Sequence, residues 1–141
     1  MQWHKTSLFQ ILIPKENRFR AREAKVLTGI NKTEGIMGVI DELAVSVDIV
    51  TADALGPNGS RLYDNYAPQD NPALTLTEDV QLPGTRRCRE IQGTVGGTPM
   101  IERTYEVHEK QVVRVKLFGN NQSPRVQSVF DSLTWNTAPA P

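Results

Sequence analysis

The chain has 141 residues, with 16 Lys plus Arg against 16 Asp plus Glu, one Cys and 38% hydrophobic residues. That size suits one domain whose core needs neither metal nor disulfide. A formal net charge of zero excludes the basic excess of a dedicated nucleic-acid binder, no run approaches the ~18 apolar residues of a membrane span, and lone Cys88 excludes an intramolecular disulfide or a multi-Cys metal site.

Met1 to His4 lacks the basic stretch and apolar core of a signal peptide. The expectation is a cytoplasmic chain or a periplasmic or lumenal mature one. The first element is a strand near 8–13, stopped by Pro14. Phe9, Ile11 and Ile13 share one face and Leu8 and Leu12 the other, so both faces should be covered. From Lys15 to Lys25, Arg18, Arg20 and Arg22 stand two residues apart. In a strand they fall on one face, as at a solvent-facing edge or an anion site, whereas in a helix they scatter. Lys25 to Ile30 reads as a short strand, Asn31 to Gly35 as a loop with turn chemistry, and Ile36 begins a long return. In the return, Leu43, Val45, Val47, Ile49 and Thr51 alternate with Ala44, Ser46, Asp48 and Val50, a half-buried strand over 43–51.

Residues 53–84 hold Pro57, Pro68, Pro72 and Pro83, with a short helix expected around Ser60 to Tyr66; Leu74 to Val80 reads as helix or strand. Three antiparallel strands follow near 86–95, 100–107 and 112–118, joined by turns at Gly96-Gly97 and His108 to Gln111 and wet on one face. Ser123 caps a helix near 124–134 with Pro124 in its first turn. Val126, Val129, Phe130 and Leu133 form its apolar stripe. The fold class is α+β: a mainly antiparallel sheet of about six strands with the C-terminal helix packed on one face. Residues 1–135 form the domain and 136–141 a tail.

The balanced charge is segmental. Residues 1–34 carry a net +4, residues 35–84 a net −7 and residues 85–141 a net +3. Two readings follow. The segments screen one another within the fold, or they make a polar molecule that orients on a partner. Sequons stand at Asn31, Asn58 and Asn121, and each reads equally well as a turn.

Catalytic patterns are scarce. His4 and His108 lie in no metal-binding or hydrolase motif, and His108 reads as a solvated turn residue. Cys88 lies between Arg87 and Arg89, whose charges would activate a thiol. In a strand, however, both arginines face away from it, which makes Cys88 an inert inward residue. Gly93 to Gly97 lacks the lysine and following helix of a phosphate loop, and the carboxylate pairs Asp41-Glu42 and Glu78-Asp79 are solvated charges. No enzyme, catalytic residue, metal site or cofactor is expected.

Two stretches carry a resemblance. One is Phe9-Gln10-Ile11-Leu12-Ile13-Pro14 after Trp3; the other is the hairpin from Arg86 to Val107 with its following strand and a terminal helix ending Val129-Phe130-Asp131-Ser132-Leu133. Together, over about 80 residues, they resemble the PsbP-like superfamily of extrinsic photosystem II subunits, a Ran-binding transport factor, and bacterial lipoproteins or secretion chaperones. The resemblance implies an antiparallel sheet of about six strands between helices, and binding rather than catalysis. The expected function is therefore a non-enzymatic binding or assembly protein that contacts a protein partner. Lys15, Arg18, Arg20, Arg22 and Lys25 are the candidate binding residues, and any association with a membrane is peripheral, through that partner. The alternative is a carrier of a small ligand or lipid, with a pocket between sheet and helix. For the arginines themselves the competing role is to screen the acidic middle of the chain.

Overall fold

Strand alternation and tight glycine turns organise most of the molecule. The computed structural model describes residues 2–13, 30–40, 43–65, 74–77, 87–120 and 122–136. In chain order the strands are β1 (Gln2–Lys5), β2 (Phe9–Ile13), β3 (Ile30–Ile40), β4 (Leu43–Ala52), β5 (Leu74–Thr77), β6 (Cys88–Val95), β7 (Thr98–His108), β8 (Gln111–Phe118) and β9 (Thr134–Trp135). A short helix α1 (Leu62–Asn65) follows β4, and α2 (Pro124–Ser132) follows β8. The strands form a six-stranded sheet in the order β3-β4-β8-β7-β6-β5 and a three-stranded sheet in the order β1-β2-β9. Every pairing is antiparallel. The α+β class and the C-terminal helix expected from the sequence are both present.

The main core lies between one face of the large sheet and a layer made of β2 and α2. Leu43, Val45 and Val47 of β4, Val113, Val115 and Leu117 of β8, and Ile101, Tyr105 and Val107 of β7 meet Phe9 and Ile11 of β2 there. Val126, Val129 and Phe130 of α2 close the cluster, so the stripe at helical spacing is the buried one. The helix starts as its residues dictate: Ser123 Oγ accepts from the Arg125 N–H at 3.2 Å, and Pro124 occupies the first turn. Its last turn is tied to β2 through Ser132, whose Oγ accepts from the Leu12 N–H at 3.0 Å and donates to Val129 O at 2.7 Å. Trp135 of β9 packs edge-on against both Phe9 and Tyr105, at centroid distances of 5.9 and 5.6 Å. Asn136, where the expected tail begins, donates from its backbone to Leu8 O and from its side chain to Thr6 O.

A smaller core occupies the opposite face, where Val50, Ala52 and Val112 lie under Leu62 and Tyr63 of α1. That helix starts at Leu62 rather than at Ser60, and Tyr66 lies outside the described residues. Of the Leu74 to Val80 stretch, Leu74–Thr77 is strand, and residues 78–80 lie outside the described residues.

Two expectations are corrected. Asn31 to Gly35, read as a loop, belongs to β3, where Lys32 to Gly35 pair with Thr51 to Asp48. Turn propensity there yields to pairing along the whole of β4, as β preferences do when a neighbouring strand is at hand. The β6-β7-β8 group does not have one wet face: Glu102 and Thr104 are buried, as are Ser46 and Asp48 on β4. The long charged side chains of this face shelter one another, which alternation by itself cannot reveal because it assigns charged positions to water. The hairpin turn at Gly96-Gly97 is as expected, with φ of 58° and 83° at its two residues. Positive values at both positions are what a two-residue turn matching strand twist requires.

Candidate functional site

The face of the large sheet opposite α2 carries the densest polar chemistry among the described residues. Register places Gly35, Asp48, Arg114, Thr104 and Arg89 side by side across β3, β4, β8, β7 and β6. The next row holds Met37, Ser46, Lys116, Glu102, Ile91 and Leu76. Alternating signs within and between these rows let the side chains pair across strands. Arg114 Nη2 lies 2.8 Å from Asp48 Oδ2 and its Nε 3.7 Å from Glu102 Oε1, while Lys116 Nζ stands 3.8 Å from Glu102 Oε2. Ser46 Oγ donates to Asp48 Oδ2 at 3.4 Å. Asp48 is only 1% exposed, so its charge is supported by hydrogen-bonded partners rather than by solvent.

Gly35 is part of this arrangement. A Cβ built on it would run into Oδ1 of Asp48, so the missing side chain makes room for the carboxylate. Gly35→Ala is therefore expected to displace Asp48 and cost roughly 1–3 kcal/mol, as overpacking does. Urea unfolding measures this, and a midpoint equal to wild type would show that the carboxylate can move aside freely.

At the end of the face nearest α1, Tyr63 lies under two guanidinium groups, with Arg87 Cζ and Arg89 Cζ at 4.4 and 4.3 Å from the ring centroid. Arg87 also pairs with Asp64 at 2.9 Å, and Arg61 with Glu106 at 2.8 Å. The pair of Arg87 with Asp64, like that of Arg114 with Asp48, joins the acidic middle of the chain to its basic C-terminal third, so part of the segmental charge is neutralised within the fold, whereas Arg61 and Glu106 pair with the signs reversed. At the other end, Val39, Ala44, Phe118 and Met100 form an apolar row in which Val39 is 58% exposed and Phe118 and Ala44 are half-buried.

The five candidate binding residues, Lys15, Arg18, Arg20, Arg22 and Lys25, lie outside the described residues. So do both carboxylate pairs, Asp41-Glu42 and Glu78-Asp79. His108 is exposed in its turn, where Nδ1 accepts from the Lys110 N–H at 3.1 Å. Among the described residues no three His, Cys, Asp or Glu side chains are grouped to hold a metal ion.

Cys88 faces the main core opposite Tyr105 in register. Burial pushes its thiol from 9.0 up to about 12, and the nearby Arg103 and Arg89 charges pull the other way without offsetting this. Burial likewise raises the Tyr105 hydroxyl above its ordinary 10.0. A raised folded-state value favours the protonated form. The stabilisation is complete below pH 9.0 and is lost as pH climbs towards about 12. Two outcomes follow. The folded protein resists thiol reagents at neutral pH and labels only on unfolding, and its melting temperature falls across that alkaline window. Rapid labelling of the native protein at pH 7 would contradict the burial.

Sequence reasoning singled out the N-terminal arginines and passed over the polar rows. A signal for them was present: Ser46 and Asp48 alternate on β4 while Arg114, Lys116 and Glu102 alternate on two later strands. Only the strand order brings these into contact. Comparison with protein-family models, curated proteins and solved structures finds no match to the chain.

Proposed function

We propose that the chain is a non-enzymatic, PsbP-like binding protein that works by surface contact with an acidic protein partner through Lys15, Arg18, Arg20, Arg22 and Lys25. The observation that carries the non-enzymatic part is how the reactive groups of the sheet are spent. Asp48, Glu90 and Glu102 each form an ion pair with an Arg or Lys on the neighbouring strand, Glu106 pairs with Arg61 just before α1, and the Cys88 thiol is buried and held protonated. Groups engaged in this way stabilise a scaffold. The six-stranded antiparallel sheet supports the PsbP-like reading in its strand number alone, since the second helix has four residues and a three-stranded sheet stands beside it.

The partner-binding part rests on the sequence alone: three arginines two residues apart, flanked by lysines, carry the fork-shaped donors that bind carboxylates bidentately. The experiment compares wild type with the Arg20→Glu, Arg22→Glu double variant. Both are immobilised and exposed to extract of the native source at low and high salt. A species held by wild type, lost from the variant and released by salt supports the reading, provided both proteins melt at the same temperature. A variant that loses stability but keeps its partner assigns the arginines to screening the acidic middle segment. Native mass spectrometry of protein from the same source reads the carrier alternative directly, as a retained apolar molecule.

A further inference from the structure

We propose that Asn58 is a site of slow spontaneous deamidation, gated by the turn that holds it, which adds a carboxylate to the connection between β4 and α1. Asn58-Gly59 is the only Asn-Gly pair in the chain. Of the three sequon asparagines, Asn31 lies in β3 at its register shift and Asn121 outside the described residues, while Asn58 is exposed on a tight turn over Pro57–Gly59. Gly59 has no side chain to shield its amide nitrogen, and the space a Cβ would enter there is open to 4 Å. Both features favour attack of that nitrogen on the neighbouring side-chain amide.

The step balances with water alone. The Gly59 amide nitrogen gives up its proton and bonds to Asn58 Cγ, the Cγ–Nδ2 bond breaks, and ammonia leaves. Water then opens the five-membered imide at either carbonyl, giving aspartate or its β-linked isomer. No oxidant or reductant is involved.

The observed backbone opposes this closure. Asn58 sits at φ 59° and ψ 27°, the left-handed region that asparagine tolerates better than most residues. With that ψ, the Gly59 nitrogen lies on the far side of the Cα–C bond from Cβ, so the ring closes only after a large rotation. Two bonds resist the rotation: Gly59 N–H donates to Gly56 O at 3.0 Å, and Gly56 N–H to Ser60 O at 2.8 Å. The connection is also pinned at both ends, by Ala52 N–H to Lys110 O and Leu62 N–H to Glu109 O, each at 2.8 Å. The turn must open before the reaction runs. The β-linked product lengthens the backbone by one methylene and cannot re-form the same turn.

The test incubates the full chain at mildly alkaline pH, native and in urea, and maps the peptides with aspartate and its isomer resolved at residue 58. Product at 58 should accumulate in both samples, at least about tenfold more slowly in the native one, the factor that ~1.4 kcal/mol of opening free energy imposes. Equal rates would overturn the gate. A native sample with no product at 58 after an incubation roughly a hundred times longer than the urea sample needs for full conversion would overturn the site.

Discussion

Phe130→Ala is expected to lower stability by about 3–5 kcal/mol, the range for removing a large aromatic from a packed core. In a domain of this size that is a fall in melting temperature of roughly 10–20 °C. The argument rests on two contacts. Phe130 is buried between α2 and the large sheet, and the Arg103 guanidinium lies 4.2 Å above its ring while pairing with Glu90 at 2.9 Å. Removing the ring opens a cavity and also strips one face from a partly buried cation. Gln127 is the matched control: it is exposed on the same helix and bonds only Asp131 Oδ1, so Gln127→Ala should stay within about 0.5 kcal/mol of wild type. If both variants melt alike, α2 does not dock through its apolar stripe.

Arg114→Ala should cost a similar amount, about 3–5 kcal/mol, for a different reason. It takes a counter-charge from Asp48, which has almost no access to water. The size of the loss reflects a stranded charge rather than the net worth of the ion pair. The two are separable, because replacing both partners with apolar residues is often neutral or stabilising. The double variant Asp48→Leu, Arg114→Met is therefore expected to recover most of what Arg114→Ala loses in chemical denaturation. If the double variant is as unstable as the single one, the polar rows hold the sheet together by more than mutual neutralisation.

Much of the fold was legible because its elements declare themselves locally. Alternation marked β4, β7 and β8, paired glycines marked the β6-β7 turn, and Ser123-Pro124 with its apolar stripe marked α2. Cys88 was also legible, since a strand sends Arg87 and Arg89 to the face opposite the thiol. What stayed hidden depends on strand order. Asp48, Arg114 and Glu102 are widely separated in sequence, and nothing local states that β4, β8 and β7 lie in that sequence across the sheet. The same gap explains Asn31 to Gly35: turn residues become strand when a ten-residue partner runs beside them.

The three-stranded sheet has a kinetic consequence. Its β2-β9 pairing joins opposite ends of the described chain, Phe9 to Trp135 and Gln10 to Thr134, and beside it Asn136 reaches Thr6 across 130 residues and Ser132 of α2 reaches Leu12 across 120. Closing so large a loop adds only logarithmically to the entropic cost, so it takes little from final stability. It does slow the search, because contacts distant in sequence form late. The hairpins β6-β7 and β7-β8 can zip from their turns, whereas β2 has no anchor for β9 until α2 has docked on the assembled large sheet. In a refolding experiment followed by hydrogen exchange, the amides that bond β2 to β9 should be the last among the described residues to gain protection, after those of the local β1-β2 hairpin.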